Sequence, residues 1–208
     1  MKKWIKYSLG AIAVLALVSA LGKKDKDGNN SASSAALNSD SARQGTNSAS
    51  PTVSLPSREA EFIKLVEESR RNYSSAQNDL AAGGVRVSRK VAICKILSND
   101  YSVSDWVGTI SDLSSNNDGR GVLSIRIAKD VNLKTWNNAV SDIGSNTLID
   151  PSSPLFSKLS EMSKGTKVKF SGTFIAGGED CVQEGSMSQA GSMKDPEFIF
   201  SYRSVDRL

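Results

Sequence analysis

The stretch from Gly28 to Ser57 cannot build a core, and this limits what the rest of the chain can fold into. Nine of its 30 residues are serine, only Asp40 and Arg43 are charged, and no aromatic occurs. Such a composition buries too little apolar area to offset the entropy of ordering it. Residues 28–57 therefore read as a disordered Ser/Asn-rich linker, with a root-mean-square reach of roughly 30 Å. The linker separates an N-terminal segment, residues 1–27, from about 150 residues that must hold any folded domain.

The N-terminal segment has the layout of a targeting sequence. Lys2, Lys3 and Lys6 precede an uncharged run from Ser8 to Gly22, and Lys23, Lys24 and Lys26 follow it. Val18-Ser19-Ala20 fits a small-residue cleavage site, so a cleaved signal peptide is one reading. The other is an N-terminal membrane anchor, with Trp4, Ile5 and Tyr7 extending the run and Lys6 snorkelling to the interface. The lysines just beyond the run resist translocation and tilt the reading toward an anchor. Three lysines on each side specify orientation poorly. The secretory layout favours export of the following domain. The localisation expected is the bacterial inner membrane with the domain in the periplasm, or periplasmic or secreted if the signal is cleaved.

Charge must be divided in the same way. Residues 1–28 hold six Lys and two Asp, which is the whole formal charge of +4. The remainder is balanced, so the basic isoelectric point is no sign of a nucleic-acid-binding domain. The chain has no histidine. This excludes a Ser-His-Asp triad, a Cys-His protease and imidazole-dependent zinc sites. No phosphate-binding loop, nucleophile elbow or calcium loop is present either. A non-catalytic protein without metal or cofactor is expected. With no histidine, the domain has no ordinary side chain to titrate near neutrality, and binding should be nearly flat between about pH 6 and 8.

Residues 58–97 form a helical preface. A first helix is expected over 57–82, with Ser57 as N-cap and Phe62, Leu65, Val66, Tyr73 and Leu80 at helical spacing. Gly83-Gly84 should end it. Residues 85–97 form a second helix or a strand. Its basic residues, Arg86, Arg89, Lys90 and Lys95, read as a solvated face, or as a contact for an anionic surface or partner.

Residues 98–208 change to strand texture. The segments 105–113 and 122–128 alternate about an Asn116-Asn117-Asp118-Gly119 turn. A third strand follows at 132–136, then a loop over 137–153 and a short helix from Pro154 to Met162. Further strands are expected from Gly165 to Phe174 and from Phe198 to Tyr202. The fold class is thus α+β, mainly β with helices: a five-stranded barrel preceded by a helical segment.

Two stretches sharpen this layout. Trp106-Val107-Gly108-Thr109-Ile110 resembles the first strand of an OB-fold, and Gly165-x-x-Val168-x-Phe170-x-Gly172-Thr173 resembles its fourth. The domain resembles the OB-fold-like modules, related to tRNA-anticodon-binding domains, that bacteria carry behind an N-terminal anchor or export signal. The resemblance implies an OB-like barrel over 98–208. It also implies a ligand on the face of strands two and three. Strand parity places Arg126, Lys134, Trp136, Lys167 and Lys169 on outward faces, and these are the candidate ligand-binding residues. Trp136 serves either structural packing or ligand stacking. Cys94 and Cys181 are the only cysteines. In an exported domain they can pair as a disulfide; otherwise they are two unlinked thiols.

The expected function is a non-catalytic, envelope-associated binding or interaction module tethered to the membrane. Its partner would be a protein or an envelope polymer. The alternative is an OB-type module for single-stranded nucleic acid. Residues 98–208 hold 11 basic and 14 acidic side chains, which disfavours a phosphate-driven binder.

Overall fold

The computed structural model describes residues 54–208, apart from Asn99 and Glu179. The apolar run of 1–27 and the linker as far as Val53 lie outside the described residues. Within the described residues, no helix is long and apolar enough to cross a membrane.

The helical preface is two helices, α1 over Ser57–Ser74 and α2 over Asp79–Leu97. The break falls earlier than the glycine pair suggests. Asn78 caps α2 by accepting a hydrogen bond from the Ala81 amide at 2.9 Å, and this cap starts a new helix. Gly83 and Gly84 then sit inside α2 rather than ending α1. Ser57 is the first helical residue; Pro56 takes the N-cap position, without a side-chain cap. Leu80, expected on the inner face of the first helix, is 88% exposed.

Five strands follow: β1 Ser102–Ser115, β2 Gly121–Ala128, β3 Val131–Lys134, β4 Lys167–Phe174 and β5 Glu197–Arg207. Helix α3, Pro154–Ser160, lies between β3 and β4, and α4, Gln189–Lys194, between β4 and β5. The sheet closes on itself in the order β1-β2-β3-β5-β4, with β4 returning to β1. Every pairing is antiparallel except β3 with β5. The strands expected at the third and fifth positions have shifted ends: β3 stops before Trp136, while β5 runs five residues past Tyr202.

Closure depends on the long first strand. The early part of β1 pairs with β4 and its later part with β2, and each pairing carries a register shift. Such bulges bend and coil a strand. Asp105, at φ 59°, lies in one of them. Two glycines allow close approach where the sheet curls. A Cβ at Gly108 would overlap the Ile125 side chain, and one at Gly172 would overlap the Ser201 carbonyl and the Phe200 ring. Backbone cannot yield as a flexible side chain can. Gly172→Ala is therefore expected to cost about 2–3 kcal/mol in urea unfolding. An alanine variant as stable as the parent would mean that the β4–β5 approach has slack.

The core is shared by the helices and the sheet. Phe62 and Val66 of α1 and Ile93 and Leu97 of α2 join one buried cluster with Trp106, Leu123, Ile125, Leu133, Phe174 and Phe198. A second aromatic group, Phe170, Phe200 and Tyr202, stacks edge to face at centroid distances of 4.9–5.8 Å.

Candidate functional site

Alternation along the strands sets which side chains face outward. Arg126 on β2 and Lys167 on β4 both stand opposite Thr109 of β1, one on each side. Both are exposed, and neither forms an ion pair among the described residues. The sheet thus gathers these two into one row across β1. The other two lysines are engaged. Lys134 Nζ donates to Glu197 Oε2 at 2.8 Å, and Lys169 Nζ lies 3.2 Å from Asp105.

Trp136 lies just past β3. Its backbone amide donates to Thr147 Oγ1 at 2.8 Å. The ring is half-buried, and its Nε1 is buried with no partner among the described residues. Indeed no aromatic side chain among the described residues is classed as exposed. Single-stranded nucleic acid is held largely by stacking on such rings.

Outside β1, β2 and β3 lies a polar groove of about 280 Å³, lined in part by Ser111, Ser124, Asn132, Lys134 and Asn137. The Ser111 hydroxyl sits 3.0 Å from both Ser124 Oγ and Asn132 Oδ1. The groove therefore presents hydroxyls, amides, the Lys134–Glu197 ion pair and the exposed carboxylate of Asp112. It suits a hydrogen-bonding ligand rather than a polyanion, which Asp112 would repel.

A second polar region joins α2 to the segment between β4 and α4. Arg86 donates to Asp180 at 2.6 Å, and Arg89 pairs closely with Glu184. Arg89 also donates to the Ser192 carbonyl at 2.7 Å and lies over the Phe198 ring, 5.8 Å from its centroid. One residue-turn further, Cys94 and Cys181 are joined by a disulfide, with Cα atoms 5.4 Å apart. Beside these clasps is a pocket of about 350 Å³. Arg89 corrects the solvated-face reading of the α2 bases: it is 3% exposed. Its spacing fits either face of a helix, and only the tertiary partner Glu184 decides between them.

Two carboxylates escaped the sequence reading. Glu59 of α1 is wholly buried; its Oε2 accepts from the Val107 amide at 2.9 Å, while Oε1 has no partner among the described residues. Burial pushes its carboxyl up to about 7, against the pull of that amide. Burial likewise pushes Glu184 up to about 7, opposed by the Arg89 guanidinium. These two shifted carboxylates titrate near neutrality in a domain that has no ordinary side chain to do so. Neither is marked in sequence, because both look like ordinary surface acids until the fold covers them.

The sign of the pH effect follows from Glu59. Unfolded, it titrates near its ordinary 4.5; folded, it holds its proton to about 7. The folded state thus binds the extra proton between these values. Its contribution is full below pH 4.5 and is lost as pH rises through 7. Unfolding free energy is expected to drop by roughly 2 kcal/mol from Glu59 between about pH 5 and 8. Urea midpoints across that range check it, and Glu59→Gln should flatten much of the slope. An unchanged slope in Glu59→Gln would place the effect at Glu184.

No protein-family model matches this chain, and no curated protein matches it. Among the described residues, no group of three or more acidic, cysteine or histidine side chains could hold a metal ion.

Proposed function

We infer that this chain is a non-catalytic binding or interaction module of the OB type. Its N-terminal apolar run tethers it to a membrane, and its domain faces the periplasm. The strand order β1-β2-β3-β5-β4, with a helix between β3 and β4, supports the OB reading. The Cys94–Cys181 disulfide supports an oxidising compartment.

The observation that carries the choice of ligand is the polar groove of β1–β3, beside which the described residues offer only the half-buried Trp136 as an aromatic. Hydrogen-bonding side chains without stacking platforms favour a neutral, hydroxyl- and amide-rich envelope polymer or a protein loop over single-stranded nucleic acid. Arg126 and Lys167, flanking Thr109 from opposite sides and without ion pairs among the described residues, are the features that favour the nucleic-acid alternative.

Two measurements test the reading. A reporter active only in the periplasm, fused after Leu208, should be active. Single-stranded DNA titrated at two salt concentrations should show no binding tighter than about 100 µM at physiological salt. Micromolar binding that weakens steeply with salt and is lost in Arg126→Ala and Lys167→Ala would replace this reading with the nucleic-acid one.

A further inference from the structure

Helix α2 has two apolar faces, and the fold uses one. Ala82, Ile93 and Leu97 turn inward, with Arg89 among them. Leu80, Gly84, Val87 and Val91 fall on the opposite side, within an arc of about 60° at helical spacing. Leu80, Val87 and Val91 are 88%, 60% and 64% exposed. Together they make an uncovered aliphatic stripe about 16 Å long.

The charges around this stripe are mostly basic, with Asp79 at the start of α2 the one acid of the helix. From Leu80 to Ser98 the chain holds four bases and no acid. Arg86 and Arg89 are held by Asp180 and Glu184. Lys90 and Lys95 flank the stripe on its two sides and make no ion pair among the described residues. An aliphatic stripe between lysines, on a helix lying along the surface of a domain, is the pattern of a helix that rests in the plane of a bilayer. We propose that this face of α2 docks onto an anionic phospholipid surface. The proposal rests on the reading of the N-terminal run as a membrane tether.

Charge argues against a second copy as the occupant. Two α2 faces brought together would set Lys90 and Lys95 against another helix that carries four bases and the single acid Asp79, a net repulsion. Anionic headgroups supply the missing countercharge, and each lysine near them adds to the attraction. Three aliphatic side chains and two lysines hold a free domain only weakly. A tether changes this. The linker keeps the domain within roughly 30 Å of the surface, so a weak contact becomes an intramolecular one at high effective concentration. Docking through α2 would then fix an orientation of the barrel that the linker alone leaves free.

The test uses the full chain, reconstituted into phosphatidylcholine vesicles with or without about 30% phosphatidylglycerol. Flotation first reports whether the chain is membrane-bound. Radical footprinting then reads Leu80, Val87 and Val91, with Val140 and Ile143 (79% and 80% exposed) as internal controls. Labelling of the three α2 residues should fall by about fivefold in anionic vesicles only, with the controls unchanged. Val87→Asp with Val91→Asp, both at exposed positions, should abolish the protection of Leu80, while Lys90→Gln with Lys95→Gln should remove its dependence on anionic lipid. A chain that floats yet leaves α2 fully labelled would overturn docking while leaving the tether intact. A chain that does not float would overturn the tether and the docking with it. Protection of α2 that rises with protein density in vesicles of phosphatidylcholine alone would assign the face to a second copy, and equal protection of the controls would reduce the effect to non-specific adsorption; either result overturns the proposal.

Discussion

Phe62→Ala is expected to lower the unfolding free energy by about 3–5 kcal/mol, in a single transition. Phe62 belongs to α1 but is wholly buried among rings of the sheet. Its centroid lies 5.2 Å from that of Phe198, 5.3 Å from Phe174 and 5.5 Å from Trp106. Truncation removes the ring and leaves a cavity bounded by β1, β4 and β5, which cannot all move inward together. The loss should therefore appear equally in helical signal by circular dichroism and in tryptophan fluorescence, to which the buried Trp106 contributes, because one core holds both parts. Leu80→Ala, at an exposed position of α2, should change stability by less than about 0.5 kcal/mol. Two separate transitions, with only the helical one shifted by Phe62→Ala, would mean that the helices and the barrel unfold independently.

Loss of the disulfide should have a comparable effect. Cys94 and Cys181 are 87 positions apart. In the chain-entropy account, closing so long a loop restricts the unfolded state by roughly 4 kcal/mol. Cys181→Ser, or complete reduction, is expected to lower stability by about 3–4 kcal/mol, a large share of the 5–15 kcal/mol of an ordinary domain. Urea midpoints with and without reductant measure it. The two ion pairs beside the bridge, Arg86–Asp180 and Arg89–Glu184, keep the native geometry in place after reduction, so the loss should fall on the unfolded side. Equal midpoints in the two conditions would show that the bridge adds nothing.

Local pattern and tertiary contact divide what the sequence reveals. Period-two alternation at 122–128 and 167–174 announced β2 and β4, because a strand's buried face repeats every second residue. The Asn116–Gly119 turn was equally legible, since Gly119 at φ 77° needs a residue free of Cβ strain. Elements without such local signals were hidden. Helix α4, Gln189–Lys194, is held by Ser188 at its N-cap and has one large apolar residue, the buried Met193, too few for an apolar period to mark it. The break at Ser75–Asn78 was masked by the louder signal of Gly83-Gly84.

The site divides along the same line. Strand parity placed Arg126, Lys167 and Lys169 on exposed positions, but it could not show that Lys169 and Lys134 are occupied by Asp105 and Glu197. Those partners come from neighbouring strands and from a bulge. The burial of Arg89, Glu59 and Glu184 likewise depends on residues between 48 and 103 positions away.

The topology also has a consequence for how the chain is made. β5, Glu197–Arg207, closes the ring by pairing with β3 on one side and β4 on the other. Until those 11 residues have emerged, β3 and β4 are both open edges. Helices α1 and α2 and the β1–β2 hairpin can form as they appear, but the barrel cannot shut. A chain threaded through a membrane in order would wait in that state, with two unpaired strand edges side by side. Holding such a chain from aggregation during that interval would be work for a chaperone, or for a membrane tether if the N-terminal run supplies one.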